Sequence, residues 1–103
     1  MRREPLTAPY AVLARPTAQK ELDALPPRIA EGIRRVLREL AKGPRAPKFD
    51  VKPLRAVDGE PPALRLRVGD YRVIFRVHAR EREVRIARIG HRRSVYRGLD
   101  SLD

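Results

Sequence analysis

Between Leu64 and Tyr96 the chain reads LRLRVGDYRVIFRVHAREREVRIARIGHRRSVY, with apolar residues at every second position on both sides of a Gly-Asp pair. Alternation of this kind sends one set of side chains to one face of a sheet and the other set to the opposite face. Gly69 can take the positive φ that a two-residue hairpin loop demands, so Gly69 and Asp70 are the predicted corner. Val68 then lies opposite Tyr71, Leu66 opposite Val73 and Leu64 opposite Phe75, all on one side. Arg67 falls opposite Arg72 on the other side, with Arg65 and Arg76 nearby. A second hairpin with Ala79 to Arg82 as its loop pairs Val77 with Val84, Phe75 with Ile86, and Arg76 with Arg85. A slip of one residue would turn every apolar side chain outward, which is why this register is strongly specified. The same register puts Arg88 on the apolar side near the strand end, from which its long stem can reach the rim.

Like charges directly opposite each other destabilise an isolated sheet. Two Arg–Arg pairs on one face therefore suggest that the missing partner is an anion. The plain alternative is a solvated face on an arginine-rich chain. Composition favours the anion: Lys and Arg number 24 against 13 acidic residues, a formal charge of +11. That balance points to a polyanionic partner, nucleic acid first and an acidic protein second. The candidate nucleic-acid-binding residues are Arg65, Arg67, Arg76 and Arg85 on the face, with Lys52 and Arg93 beside it.

The remaining segments supply a layer to cover the apolar face. Tyr10 to Ala14 suits a short strand whose nearly continuous apolar run fits a doubly covered or central position. Thr17 is a candidate N-cap for a first helix, with Glu21 in its first turn and an end at Leu25 before Pro26 and Pro27. Those prolines open a second helix. There Ile29, Ile33, Val36, Leu37 and Leu40 form one apolar stripe, suited to packing on the sheet, before Gly43 and Pro44 end it. Residues 43–62 hold four prolines beyond Pro44 and two glycines, and read as a long loop that Phe49, Val51 and Leu54 pin in place. Residues 1–9 read as a loose lead-in, and Arg97 to Asp103 as a short tail of mixed charge. The predicted fold is a two-layer α+β domain spanning 1–103: an N-terminal strand, two helices, then a three-stranded antiparallel meander (βααβββ), with helices on one sheet face. The other face, with the arginines, is expected to stay uncovered.

Several classes of chemistry are absent. The chain has no cysteine, hence no disulfide and no thiolate metal site. His78 and His91 have no carboxylate at ligand spacing, so no metal or other cofactor is expected, and His78 is expected to meet Glu83 across the hairpin. There is no phosphate-cradling glycine loop and no G-x-S-x-G elbow. No apolar run follows Met1 to Arg3, so no membrane association is expected and the cytoplasm is the simplest location. What remains is a cluster of guanidinium groups followed by Gly90-His91-Arg92-Arg93-Ser94-Val95-Tyr96. Such a set suits metal-free attack on a phosphate, with arginines on the nonbridging oxygens and a titratable group moving the proton.

The element order, LRLRVGDYRVIFRV and the ending IGHRRSVYRGL resemble the RelE/ParE toxin superfamily, on its RelE side, over roughly residues 8–98. The resemblance implies a small toxin of a type II toxin–antitoxin pair, partnered by a cognate acidic, RelB-like antitoxin. RelE-type members are mRNA interferases: on the ribosome they cut mRNA with the substrate's own 2′-OH, leaving a 2′,3′-cyclic phosphate and a 5′-hydroxyl. By the same resemblance Arg65 holds RNA and helps stabilise the nucleophile, and Arg72 clamps the scissile phosphate. Arg92 stands near the leaving oxygen and Tyr96 is the general base. Two departures stand out: Ala63 occupies a position where a well-known member has lysine, and the segment from His91 to Tyr96 is shorter.

Each residue also has an ordinary reading. Tyr96 could anchor the tail in a groove. Arginine is a poor proton donor, so Arg92 suits charge stabilisation, and His91 is the more natural acid. ParE-like relatives poison DNA gyrase and need the fold without the Arg/Tyr phosphate site. A third reading is a noncatalytic RNA-binding remnant.

Overall fold

The computed structural model of the chain describes residues 9–99. Its element order is β1 (Ala11–Ala14), α1 (Pro16–Asp23), α2 (Pro27–Lys42), β2 (Val51–Pro53), β3 (Leu64–Val68), β4 (Tyr71–His78) and β5 (Glu83–His91). The expected tail from residue 100 onward and nearly all of the expected lead-in lie outside the described residues.

The strands form one five-stranded sheet in the order β1-β5-β4-β3-β2. Its centre is the predicted meander, pair by pair. Leu66 faces Val73, Arg67 faces Arg72 and Val68 faces Tyr71 around a corner where Gly69 takes φ +60°. Of the two corner residues only Gly69 has a positive φ, the pattern of a II′ turn, whose twist matches that of the flanking strands. In the second hairpin Val77 faces Val84, Phe75 faces Ile86 and Arg76 faces Arg85, as expected.

Beyond Phe75 the expected register fails. Ile74 pairs with Arg88 and Val73 with Ile89, leaving Ala87 as the extra residue of a β-bulge. A bulge exchanges the two faces from that point on. Arg88 therefore joins the arginine side rather than the helix side, and Ile89 takes the buried place. The step from Val84 and Ile86 to Ile89, two residues and then three, is the sequence mark of this bulge.

The helices cover one face as predicted. Ile33 and Leu40 of the α2 stripe are 1% and 0% exposed, and with Ala30, Ala18 and Leu22 they meet Leu66, Val73, Phe75, Val84, Ile86 and Ile89. Burying each large side chain of this kind is worth about 1.5–3 kcal/mol.

Four details of the outer elements differ from expectation. β1 lies at the sheet edge, parallel to β5, with Leu13 46% exposed, so its apolar run does not mark a central strand. The loop read into 43–62 contains β2, an edge strand whose Lys52 stands beside Arg65 and whose Pro53 suits an edge. α1 begins with Pro16 after an Arg15 cap and ends at Asp23, so Thr17 lies inside it and Glu21 in its second turn. α2 ends at Lys42, before an extended Gly43. Its solvent side carries short-range ion pairs. Hydrogen bonds from Lys48 and Lys42 to Glu39, at 2.8 and 3.0 Å, hold that carboxyl well below the ordinary carboxylate range, at about 2.

Candidate functional site

The arginine face is not bare. Ile74, the one large apolar residue that β4 turns toward it, is 0% exposed beneath Val95 at 1%, with Leu54, Val57, Ala87 and Leu99 packed around them. The chain on both sides of the meander folds back to make this roof: 54–61 from one side and 92–99 from the other. Val95 lies over Gly90, where a Cβ would stand in ordinary van der Waals contact, 3.4 Å from the Val95 Cβ. The expectation of an uncovered face is thus corrected. The isoleucine amid the arginines needs desolvation and draws the flanking segments over it.

Acceptors from within the chain meet several of these arginines: neutral carbonyls of the roof, and carboxylates outside it. The Arg76 guanidinium donates to the Pro61 carbonyl and, at 3.0 Å, to the Asp58 carbonyl. Arg85, opposite it, pairs with Glu83 at 2.6 Å. Glu83 in turn faces His78 in the ladder, as expected. Arg65 reaches Asp50 Oδ1 and the Asp50 carbonyl, each at 3.4 Å, and Arg67 Nη1 lies 4.0 Å from Asp50 Oδ2. Arg65 is more protected than Arg67 or Arg85, its side chain 17% exposed against 58% and 48%.

At the Gly69–Asp70 corner the arrangement is different. Arg72 Nη1 donates to the carbonyls of Gly69 and Tyr71, both at 2.9 Å. The Arg92 N–H donates to the Asp70 carbonyl at 2.8 Å, and Arg92 Nε lies 3.8 Å from Asp70 Oδ1. One tight turn thereby holds Arg72 from β4 and Arg92 from the segment after β5, with Arg67 directly across from Arg72. The Arg72 and Arg92 guanidiniums are held by neutral carbonyls and a long, exposed ion pair, so they keep most of their positive field for an outside anion.

The other candidates divide. Tyr96 follows the buried Val95 on the same segment and is 39% exposed; its hydroxyl makes no hydrogen bond among the described residues. Arg93 is exposed, and its N–H donates to His91 Nδ1 at 3.2 Å. His91 pairs with Tyr71 across the ladder and meets its ring edge-on at 5.4 Å. Tyr71 points to the helix-covered side, so His91 stands on the opposite face from Arg72. Lys52 is exposed one strand away from Arg65, and Arg76 and Arg85 occupy the far end of the face, engaged by the roof and by Glu83.

Glu21 is a member of this region that periodicity did not reveal. It accepts from Arg88 Nε and from the Ile89 N–H, both at 2.9 Å. Among the described residues, no three His, Cys, Asp or Glu side chains are grouped to hold a metal ion, and no helix is long and apolar enough to cross a membrane.

Residues 12–96 match the family described as ParE toxin of type II toxin–antitoxin system, parDE. No curated protein sequence gives a match. Among solved structures, the fold is similar to a chain of the RelBE2 toxin–antitoxin complex of Mycobacterium tuberculosis, at 30% identity and a TM-score of 0.66. That alignment covers 81% of this chain and 98% of the other. It is also similar to a chain of the archaeal RelE–RelB complex of Pyrococcus horikoshii, at 28% identity and TM-score 0.69, covering 82% and 96%. A chain of the RelB–RelE complex of Methanococcus jannaschii is similar at 25% identity and TM-score 0.63, covering 80% and 92%.

Proposed function

The chain belongs to the ParE toxin family of the RelE/ParE superfamily and is a RelE-like toxin of a type II toxin–antitoxin system, and on that premise we propose that it is a ribosome-dependent endoribonuclease. The substrate's 2′-OH attacks the adjacent phosphorus, a 2′,3′-cyclic phosphate forms, and the 5′-oxygen leaves and takes up a proton. Arg72 and Arg92 carry the charge that builds on the phosphoryl and leaving oxygens, water protonates the leaving 5′-oxygen, and Tyr96, as the phenolate, receives the 2′-OH proton. Tyr96 is preferred to His91 for this step because His91 stands on the helix-covered side. Arg65, Arg67, Lys52 and Arg93 line the approach of the RNA backbone, while Arg76 and Arg85 are tied into the far end. The partner in the resting state is a small acidic antitoxin, in keeping with the +11 charge and with neighbours solved as RelB–RelE complexes.

The observation that carries this reading is that one two-residue turn holds the Arg72 guanidinium through the Gly69 carbonyl and the Arg92 backbone N–H through the Asp70 carbonyl. Donors fixed in advance cost no reorganisation when charge develops, and losing one typically lowers a rate by about 10²–10³. Single-turnover cleavage of mRNA on programmed ribosomes, with binding measured alongside, is the test. Arg72→Ala is expected to slow cleavage by that factor with the fold intact, since its side chain faces away from the main core. Tyr96→Phe is expected to slow cleavage while ribosome affinity stays nearly unchanged.

A second reading, poisoning of DNA gyrase without nuclease activity, is favoured by the match to the ParE toxin description and by the internal pairing of Arg65, Arg76 and Arg85. Intact mRNA in the ribosome assay together with gyrase inhibition would replace the first reading with this one.

A further inference from the structure

Tyr96 is held from both flanks. On one side Val95 is 1% exposed and packed on Ile74. On the other side the Arg97 carbonyl accepts from Arg88 Nη1 at 2.9 Å. Arg88 is itself fixed. Its Nε donates to Glu21 Oε2 at 2.9 Å, while Glu21 Oε1 accepts the Ile89 N–H at 2.9 Å.

The carboxylate of α1 thus grips the bulged strand by backbone and side chain together, and the guanidinium passes that grip on to the segment bearing Tyr96. The Ala87 bulge makes this possible: without the extra residue Arg88 would point under the helices. Arg88 and Glu21 side chains are 22% and 25% exposed, far less than the Arg38–Glu31 pair on α2 at 61% and 51%, so solvent screening weakens their contact less. A guanidinium is a rigid planar fork, so engaging a carboxylate and a carbonyl at once sets an angle between them, which a lysine could not do.

We infer that Glu21 and Arg88 are positioning residues for Tyr96, setting where its hydroxyl stands relative to the arginines of the Gly69–Asp70 corner. The consequence for rate rests on the nuclease reading; the placement of the ring does not. Two measurements on the full-length toxin therefore separate them: single-turnover mRNA cleavage on ribosomes, and the fluorine NMR resonance of Tyr96 in protein carrying 3-fluorotyrosine. The chain has three tyrosines, and Tyr96→Phe assigns the signal.

Arg88→Ala is expected to shift and broaden the Tyr96 resonance. It should also slow cleavage by about 10- to 100-fold at unchanged ribosome affinity, the penalty for displacing a reacting group by about an ångström. In a Tyr96→Phe background the same substitution should add nothing, because the group it positions is gone. Glu21→Gln, which keeps an acceptor for the Ile89 N–H but gives up the charge, should move both readouts the same way and less. Should Arg88→Ala fail to fold, Arg88→Lys carries the test, since it retains charge opposite Glu21 without the fork. An unmoved resonance overturns the inference, as does a rate unchanged by Arg88→Ala or a rate loss that persists in full without the Tyr96 hydroxyl. If the wild-type protein leaves mRNA intact, the nuclease reading has failed, and the resonance alone decides whether Arg88 places the ring.

Discussion

The two faces of the central strands come from one period-two pattern and are closed by opposite means. Toward the helices, Val73, Phe75, Val84 and Ile86 meet Ile33 and Leu40 in a continuous apolar layer. Toward the arginines, a single buried isoleucine under Val95 anchors two irregular segments, and the rest of the closure is polar: the Pro61 and Asp58 carbonyls on Arg76, Asp50 on Arg65, Glu83 on Arg85. Apolar burial is non-directional, so any helix with a suitable stripe can close the first face. Hydrogen bonds and ion pairs need a given atom within about 3 Å at a favourable angle, so the second face closes only where the chain path delivers those atoms. Where it does not, at the Gly69–Asp70 corner, the guanidiniums meet only neutral carbonyls and one long ion pair.

The contrast can be broken most severely at Phe75, which is 0% exposed beneath the helices. Phe75→Ala should cost about 3–5 kcal/mol by leaving a cavity in a layer that cannot collapse onto it. Urea unfolding measures this, and a loss under about 1 kcal/mol would show that the helix face is not the principal source of stability.

Val95→Ala probes the other face. Removing two buried methyl groups should cost about 2 kcal/mol or less. Because Val95 seats the Tyr96 segment, cleavage should fall by more than the unfolding data alone account for. Equal proportional losses would mean that this small core serves stability and nothing more.

The smallest effect is expected at Asp50, an internal anion for Arg65 and Arg67. Asp50→Asn keeps the backbone carbonyl that accepts from Arg67 N–H and Arg65, and should alter stability by less than about 1 kcal/mol. It should raise affinity for RNA a few-fold and steepen the fall of log K with log salt by roughly one phosphate's share, about 0.7–0.9. Unchanged affinity and slope would indicate that Arg65 and Arg67 do not meet the RNA backbone.

Much of this was legible in the residues. Both hairpins, every pair from Val68–Tyr71 to Phe75–Ile86, and the α2 stripe followed from periodicity and one glycine, because each depends on neighbours close in sequence. The bulge was legible in principle, through the three-residue step from Ile86 to Ile89, yet a strict alternation carried Arg88 to the wrong face. His91 and Tyr96 were read as members of one site with Arg72, and the register parts His91 from it. β2 went unseen because an edge strand of three residues with a proline leaves no periodic trace.

The sequence by itself determined which side chains share a face from Leu64 to Ile86, where the two hairpins turn, and that a strongly cationic surface would lie opposite the helices. Those properties are local: they depend on side-chain alternation, on the freedom of Gly69 and on the count of charges. Only the tertiary structure decided which arginines are engaged by distant carboxylates and carbonyls of the chain. Asp50 reaches Arg65 across 15 residues, Asp58 reaches Arg76 across 18 and Glu21 reaches Arg88 across 67. No periodicity spans such separations, because a hydrogen bond depends on the meeting of two atoms in space, and that meeting is fixed only when the whole path of the chain has closed.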